Sequence, residues 1–153
     1  MKYFASDGQI KTYVLQLDQG DLLLESIETF IKAENIRTGA VIAAIGTFDR
    51  STLHMIKTTG YPPDIHYEKR EDEPIELVSV QGVIANGVPH LHATIANSQQ
   101  AFGGHLEPGC RVLYLAEVVV VSLPGLNLTR VLNEKEIEKL VETDGVPSGM
   151  PQR

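Results

Sequence analysis

Three histidines lie within sixteen residues of one another in this chain: His90, His92 and His105. His90 and His92 are two positions apart on a predicted strand, residues 88–96, and such residues point to the same face. Their Cα atoms would lie about 6.6 Å apart, at a rise of ~3.3 Å per residue. Two imidazoles at this spacing are able to bind one metal ion.

The turn after this strand decides whether His105 joins the pair. A two-residue loop at 98–99 and a four-residue loop at 97–100 both place His92 directly opposite His105, whereas an odd loop would break this register. Gly103 and Gly104 before His105 would allow a ligand or a neighbouring backbone to come close. With an even loop, three imidazoles share one face, a donor set that suits zinc or another divalent transition metal.

Three protein ligands leave a fourth coordination position for water, a small-molecule ligand or another chain. Zinc lowers the pKa of bound water to about 7, so an open site would suit hydrolysis or lyase chemistry on a small polar or acidic metabolite. Two alternatives to metal binding remain open at this point. The three imidazoles would be half-buried and satisfied by hydrogen bonds, or they would line a subunit interface.

Glu117 interrupts an apolar run, residues 112–121. In a functional role, it would accept a hydrogen bond from a ligand imidazole or transfer protons beside the metal. In the alternative, its side of the strand faces solvent or an interface. Cys110 is expected to be a small buried hydrophobic residue rather than a nucleophile. His54 and His66 lie outside the cluster and are expected to be ordinary surface or loop histidines.

Several function classes are excluded or disfavoured. The sequence lacks the GxSxG, GxxxxGK[ST], GxGxxG and HExxH motifs, and it lacks the glutamate that follows the HxH pair in cupins. With 13 Lys and Arg against 20 Asp and Glu, its formal charge is −7. Because DNA-binding domains usually present a basic face, and none is evident here, direct DNA binding is disfavoured.

The surrounding pattern predicts an α+β fold, a mostly antiparallel sheet of about six to eight strands with one main helix and a short C-terminal helix. Asp21 is the expected N-cap of the main helix, which should end near Asn35. Asn133 would cap the short helix, whose apolar face is Ile137, Leu140 and Val141. Residues 60–74 are expected to form a polar loop. The predicted strands are residues 10–17, 40–45 (buried on both faces, with a bulge or a close backbone approach at Gly46), 51–57, 75–85, 88–96, 101–106, 111–123 and 126–131.

The chain is expected to form one domain, residues 1–142, followed by a flexible tail, residues 143–153. No apolar run reaches the ~18–20 residues of a membrane helix. The first residues contain no apolar signal core, and the single cysteine precludes an internal disulfide. These features predict a cytoplasmic protein without a membrane partner.

A set of short blocks in this sequence resembles the plants-and-prokaryotes conserved (PPC) domain over roughly residues 10–130. The blocks are, in chain order, Asp21-Leu22-Leu23-Leu24-Glu25-Ser26, Ala44-Ile45-Gly46, Ile75-Glu76-Leu77-Val78-Ser79-Val80-Gln81-Gly82, His90-Leu91-His92, Gly103-Gly104-His105-Leu106 and Ala116-Glu117-Val118-Val119.

The resemblance implies an antiparallel sheet flanked by helices, assembled as a homotrimer. It also implies that stand-alone prokaryotic members bind a metal, commonly zinc, through histidines that match His90, His92 and His105. Plant members generally lack these histidines and follow an AT-hook, whose Arg-Gly-Arg-Pro motif is missing here. The resemblance therefore implies a prokaryotic member with a fold and a site but without an assigned reaction.

Two functions are consistent with these observations. In the first, the chain is a homotrimeric metal-binding protein, with a three-histidine site that serves a metal-dependent hydrolase or lyase. In the second, it is a non-enzymatic interaction or regulatory module with a protein partner, and DNA binding rests on family analogy alone. A third, simpler role is that the metal only stabilises the hairpin. Whether the chain is an enzyme is left open by the sequence.

Overall fold

The computed structural model describes residues 1–143, which form eight strands and one helix. Of the predicted tail, all but Thr143 lies outside the described residues. The elements are β1 (Lys11–Asp18), α1 (Leu23–Ala33), β2 (Thr38–Ile56), β3 (Ile65–Ala85), β4 (Val88–Ala96), β5 (Ala101–Leu106), β6 (Arg111–Ser122), β7 (Leu128–Leu132) and β8 (Glu138–Glu142).

The first six strands form one antiparallel sheet in the order β1-β6-β2-β3-β4-β5, and β7 pairs with β8 in a separate hairpin. The end of β2 also pairs with β5, so the sheet partly closes on itself. The helix buries Leu23, Ile27 and Ile31 in the core of this sheet. The α+β fold with a mostly antiparallel sheet is therefore confirmed, with one helix among the described residues.

Side chains of β4 alternate between the core and the outer face of the sheet. Leu91, Ala93 and Ile95 are buried, whereas His90 and His92 are exposed. The alternation follows from the two-residue period of a strand. The histidine face is thus held in place by burial of the neighbouring side chains on the opposite face.

The turn between β3 and β4 is the two-residue hairpin that the sequence predicted. Asn86 and Gly87 both have positive φ, at 52° and 77°. A type I′ turn requires this conformation at both central positions, which Asn-Gly adopts readily. The turn fixes the pairing of Ala85 with Val88 and of Val83 with His90.

Two of the predicted strands are one long strand in the structure. β2 runs through both segments, with register shifts on either side of Phe48. The predicted close approach at Gly46 is confirmed, since a Cβ there would lie 2.7 Å from the Cα of Ala116. Burial on both faces is wrong for the described chain, because Ile42 and Ile45 are each 55% exposed.

The predicted loop at residues 60–74 is largely strand, which is a second correction. β3 begins at Ile65, and residues 65–71 pair with β2. Its polar residues are tolerated because one face is solvated and the charges pair along it: Arg70 contacts Glu68 at 2.7 Å and Glu73 at 3.2 Å. The same guanidinium lies 4.7 Å from the ring centre of Phe102, a cation–π contact.

The predicted C-terminal helix is also wrong, because its residues form β8. The Asn133 side chain accepts hydrogen bonds from the backbone N–H groups of Lys135 and Ile137, both at 2.9 Å, and closes the β7–β8 turn. Asp21 likewise does not cap α1. Its carboxylate accepts a hydrogen bond from the N–H of Asp18, and Leu22 occupies the N-cap position.

Cys110 has no exposed surface, which confirms the prediction that it is a buried residue. Burial raises the pKa of its thiol to about 11. Among the described residues, no helix has the length and apolar character needed to cross a membrane.

The β2–β5 pairing gives a test of how the sheet closes. A Cβ on Gly104 would collide with the backbone oxygen of His54 on β2. We expect Gly104→Ala to cost about 1–3 kcal/mol of stability, lowering the melting temperature by several degrees. The control is Gly60→Ala, since a Cβ at Gly60 meets nothing within 4 Å. Equal melting temperatures for the two variants would show that the close approach is not required.

Candidate metal centre

The turn between β4 and β5 sets the histidine register. The ladder ends at Ala96 paired with Ala101, so residues 97–100 form the loop. The Asn97 side chain accepts hydrogen bonds from the N–H groups of Gln99 and Gln100, both at 3.0 Å, and holds this loop together. The even register predicted from the sequence is therefore present.

This register brings the three predicted histidines together. His92 lies directly opposite His105, and His90 is two residues away on the same face. The three residues each offer a donor atom within 4.8 Å of the others. The ring centres are 4.8 Å apart for His90 and His105, and 5.5 Å apart for His92 and His105.

The chemistry of this donor set fits a metal ion. Within residues 1–143, no hydrogen bond engages the ring nitrogens of these three histidines. Desolvation lowers the pKa of His105 to about 4, with further contributions from neighbouring histidines. Desolvation also lowers the pKa of His90, assisted by the charge of Arg130. Both imidazoles are thus neutral at pH 7, the form in which histidine binds metals.

His54 is not an ordinary surface or loop residue, contrary to expectation. It lies on β2 directly opposite His105, and the two rings stack with centres 4.5 Å apart. Its Nδ1 contacts Glu107 Oε1, and His54, Glu107 and His105 form a second group of donor atoms within 4.8 Å. No sequence pattern indicates this position, because only the pairing of β2 with β5 brings His54 to the cluster. His66 lies near the start of β3, and half of its side chain is exposed.

Glu117 lies elsewhere on the sheet. It is exposed on β6, opposite Gln16 of β1 and Ile45 of β2. It is not a member of either group of close donor atoms found in the described residues. Its surroundings correspond to the alternative role given to it above, a strand side that faces solvent or an interface.

The β7–β8 hairpin forms one wall of the space next to the histidines. Two adjoining cavities, of about 520 Å³ and about 370 Å³, are lined by His90 together with Arg130 and Glu138. His92 lines the larger cavity and His105 lines the smaller one. The histidine face is therefore accessible to a small molecule through these cavities, and the wall formed by the β7–β8 hairpin carries charged side chains.

Desolvation of His105 gives a test in the metal-free protein. Because its folded-state pKa is below that of the unfolded chain, the unfolded state binds more protons between about pH 6.5 and 4. Stability should therefore fall as the pH is lowered through this range. We expect urea unfolding of the His105→Gln variant, with chelator present, to lose less stability between pH 7 and pH 5 than the wild type.

The matched control is His66→Gln, which removes an exposed histidine near the start of β3. This variant should retain the wild-type dependence on pH. If His105→Gln also retained it, the desolvation of His105 would contribute nothing to stability.

Comparison with known proteins identifies a matching domain family and a curated relative. The chain matches the model of the Plants and Prokaryotes Conserved (PCC) domain over residues 4–124. It is 30% identical, over 124 residues, to the bifunctional protein GlmU of Synechococcus sp. strain JA-2-3B'a(2-13). That match covers 80% of this chain, and the chain spans only 18% of the length of that relative.

Solved structures have the same fold. A metal-containing protein from Archaeoglobus fulgidus is 24% identical, with a TM-score of 0.79 over 93% of this chain and 100% of the other. A protein from Bacteroides thetaiotaomicron, named as a candidate DNA-binding protein, is 20% identical, with a TM-score of 0.73 over 85% and 91% of the two chains. At these identities the likeness establishes the fold.

The order of the sequence blocks, the antiparallel sheet and the match to the family model agree with one another. Because that match covers residues 4–124 of 153, the chain belongs to the Plants and Prokaryotes Conserved (PCC) domain family.

Proposed function

We propose that this chain is a homotrimeric metal-binding protein in which His90, His92 and His105 bind one zinc ion, or another divalent transition metal, per chain. The observation that carries the proposal is the convergence of three imidazole donors within 4.8 Å on one face of the β4–β5 hairpin. The name of the Archaeoglobus fulgidus protein, which is described as metal-containing, adds support from a protein of the same fold.

The proposed site is an open one that serves chemistry on a small molecule. Three histidines with a vacant fourth position are typical of catalytic zinc sites, whereas structural sites are closed by four protein ligands. The adjoining cavities support this choice, since they give a small molecule access to His90, His92 and His105. When bound, the metal would supply Lewis acidity for hydrolysis or lyase chemistry.

His54 and Glu107 are proposed to support this centre. The His54 ring stacks on His105, and Glu107 contacts the Nδ1 of His54, so the pair restricts the orientation of the ligand ring. Such outer contacts commonly hold a metal-binding imidazole in position. Glu117, being outside this cluster, is not proposed to transfer protons at the metal of its own chain.

The homotrimer is proposed from the outer face of β1, β6 and β2. Val14 is 75% exposed there, and Ile42 and Ile45 are each 55% exposed. Monomeric proteins rarely expose a continuous apolar patch of this kind, so it marks an interface. Glu117 lies opposite Ile45 on this face, which would place its carboxylate at or beside the contact between subunits.

A second candidate function is a non-enzymatic interaction module. The same exposed apolar face favours it, because that face would also suit a different protein partner. Direct DNA binding is named for a protein of the same fold, but the charge of −7 on this chain opposes it. A mobility shift with duplex DNA that weakens as salt increases would favour this second function over the first.

Metal content is the direct test of the proposed site. We expect the untagged wild type to contain about one zinc ion per chain by elemental analysis, and His92→Ala to contain almost none, because two imidazoles bind zinc weakly. His66→Gln is the control and should retain the metal. A wild type that contains no metal, and takes up none when zinc is supplied, would make the histidines structural.

Oligomeric state tests the proposed interface. A lysine at position 45 would bury an unpaired charge between subunits, so Ile45→Lys should shift the protein from trimer to monomer in analytical ultracentrifugation. Val131 is also an exposed apolar residue, but it lies on β7, away from this face. Val131→Lys should therefore leave the assembly unchanged. A wild type that sediments as a monomer would contradict the proposal.

A further inference from the structure

We propose that the cavity beside the three histidines binds a small, singly charged carboxylate, and that Arg130 is the residue that anchors it. This inference rests on the proposed metal function and names the class of molecule that the site would take. Four observations support it: the placement of Arg130, its unpaired charge, the charge balance of the site and the origin of the hairpin that carries it.

Arg130 is fixed next to the histidines. Its Nη1 donates a hydrogen bond to the Val88 carbonyl at 3.0 Å, and its Nη2 donates one to the Val83 carbonyl at 2.8 Å. The guanidinium lines both cavities together with His90. A guanidinium has five N–H donors, so this anchoring leaves donors for a further ligand.

The charge of Arg130 is poorly compensated within the protein. Among the described residues, no carboxylate forms an ion pair with it within 4.0 Å. Burial lowers the pKa of Arg130, and the nearby carboxylate of Glu138 opposes this shift without pairing. Arg130 is only partly buried, but an arginine remains charged under these conditions, and its partly desolvated charge has no carboxylate partner within reach. An anion in the cavity would compensate this charge.

Metal binding would increase the need for an anion. The three imidazoles are neutral ligands, so the dication would retain its charge next to the guanidinium. Among residues 1–143, Glu138 is the one carboxylate that lines these cavities, and it is exposed on β8. A site with this balance of charge is expected to recruit a negatively charged ligand to the open coordination position.

The hairpin that supplies Arg130 lies beyond the part of the chain that matches the family. The match ends at residue 124, whereas β7 and β8 span residues 128–142. Leu128 and Leu140 pack with Ala85 in a small second core, and the Leu128 N–H donates to Thr38 Oγ1 at 3.0 Å. The hairpin is therefore firmly docked, and it adds a charged wall to a site that the matched domain leaves open.

Charge favours a small monocarboxylate over a phosphate. The planar fork of an arginine matches the geometry of both anions, so the discrimination comes from their charge. The carboxylate of Glu138 lines the same cavities and would repel a dianion more strongly than a monoanion. A hydroxyl or amine on the ligand would instead be able to donate a hydrogen bond to Glu138.

The test uses the 153-residue chain loaded with Co²⁺, whose visible absorption reports changes in coordination. Glycolate, acetate, inorganic phosphate and neutral acetamide are titrated separately into the wild type and into the variants. We expect glycolate and acetate to change the spectrum at lower concentration than phosphate does, and acetamide to have little effect. Arg130→Gln should weaken glycolate binding by about tenfold or more, because it removes a charged hydrogen-bond donor.

Two further variants separate recognition of the anion from support of the hairpin. Glu138→Gln removes the repelling charge and should tighten the binding of acetate, which has no hydroxyl that could donate a hydrogen bond to Glu138. Lys11→Gln is the matched charge control on β1, which three strands separate from β4 in the sheet order, and it should bind glycolate as the wild type does. If Arg130 and Glu138 only held the hairpin in place, both of their variants would weaken binding.

The outcomes are distinct. Arg130→Gln binding glycolate as tightly as the wild type, or phosphate binding more tightly than glycolate, would overturn the carboxylate assignment alone. Weakening by both the Arg130 and Glu138 variants would overturn it as well. Cobalt uptake is read from its own absorption before any anion is added, so a protein that takes up no cobalt would overturn the proposed metal function and this inference together.

Discussion

The arrangement of the histidines depends on the even length of one turn. Loop 97–100 ends the ladder at Ala96 and Ala101, and the Asn97 side chain holds it through two backbone N–H groups. One residue more or fewer would move His105 to the core face of β5. A buried imidazole would replace an apolar side chain there, and His92 would lose its partner. The turn therefore couples the packing of the core to the chemistry of the outer face.

The β4–β5 register also places His105 next to β2, on the other side of β5 from β4. His105 faces His54 because the end of β2 approaches β5 closely, and Gly104 leaves room for the β2 backbone. Four strands thus contribute to one face: β4 and β5 carry the three predicted ligands, β2 carries His54, and β3 places Tyr67 opposite His54. The rings of His54 and Tyr67 are 5.8 Å apart. The site is therefore built on paired strands rather than on loops, which limits how far its ligands are able to move.

Local pairing was predictable from the sequence, but distant pairing was not. The β3–β4 and β4–β5 hairpins follow from Asn86-Gly87, from strand alternation and from an even turn, so the placement of His90, His92 and His105 on one face was predictable. Residues 65–74 lack an apolar face, and only pairing with β2 makes them a strand. At Asn133 the side chain accepts hydrogen bonds from backbone N–H groups in a turn rather than at the start of a helix. The chain turns back to pair with β7, and this pairing overrides the helical spacing that follows. His54 was missed for the same reason.

The overall acidity of the chain is compatible with the proposed cationic site because charges act over short distances in salt. At physiological ionic strength the Debye length is about 8 Å, so a small anion in the cavity responds mainly to Arg130, Glu138 and a bound metal. A DNA duplex, by contrast, carries a charge every ~1.7 Å along its axis and would extend across a surface of net charge −7. The same chain would therefore attract a monoanion at one point and repel a polyanion along its length. This difference in scale favours a small-molecule ligand over DNA for this member of the family.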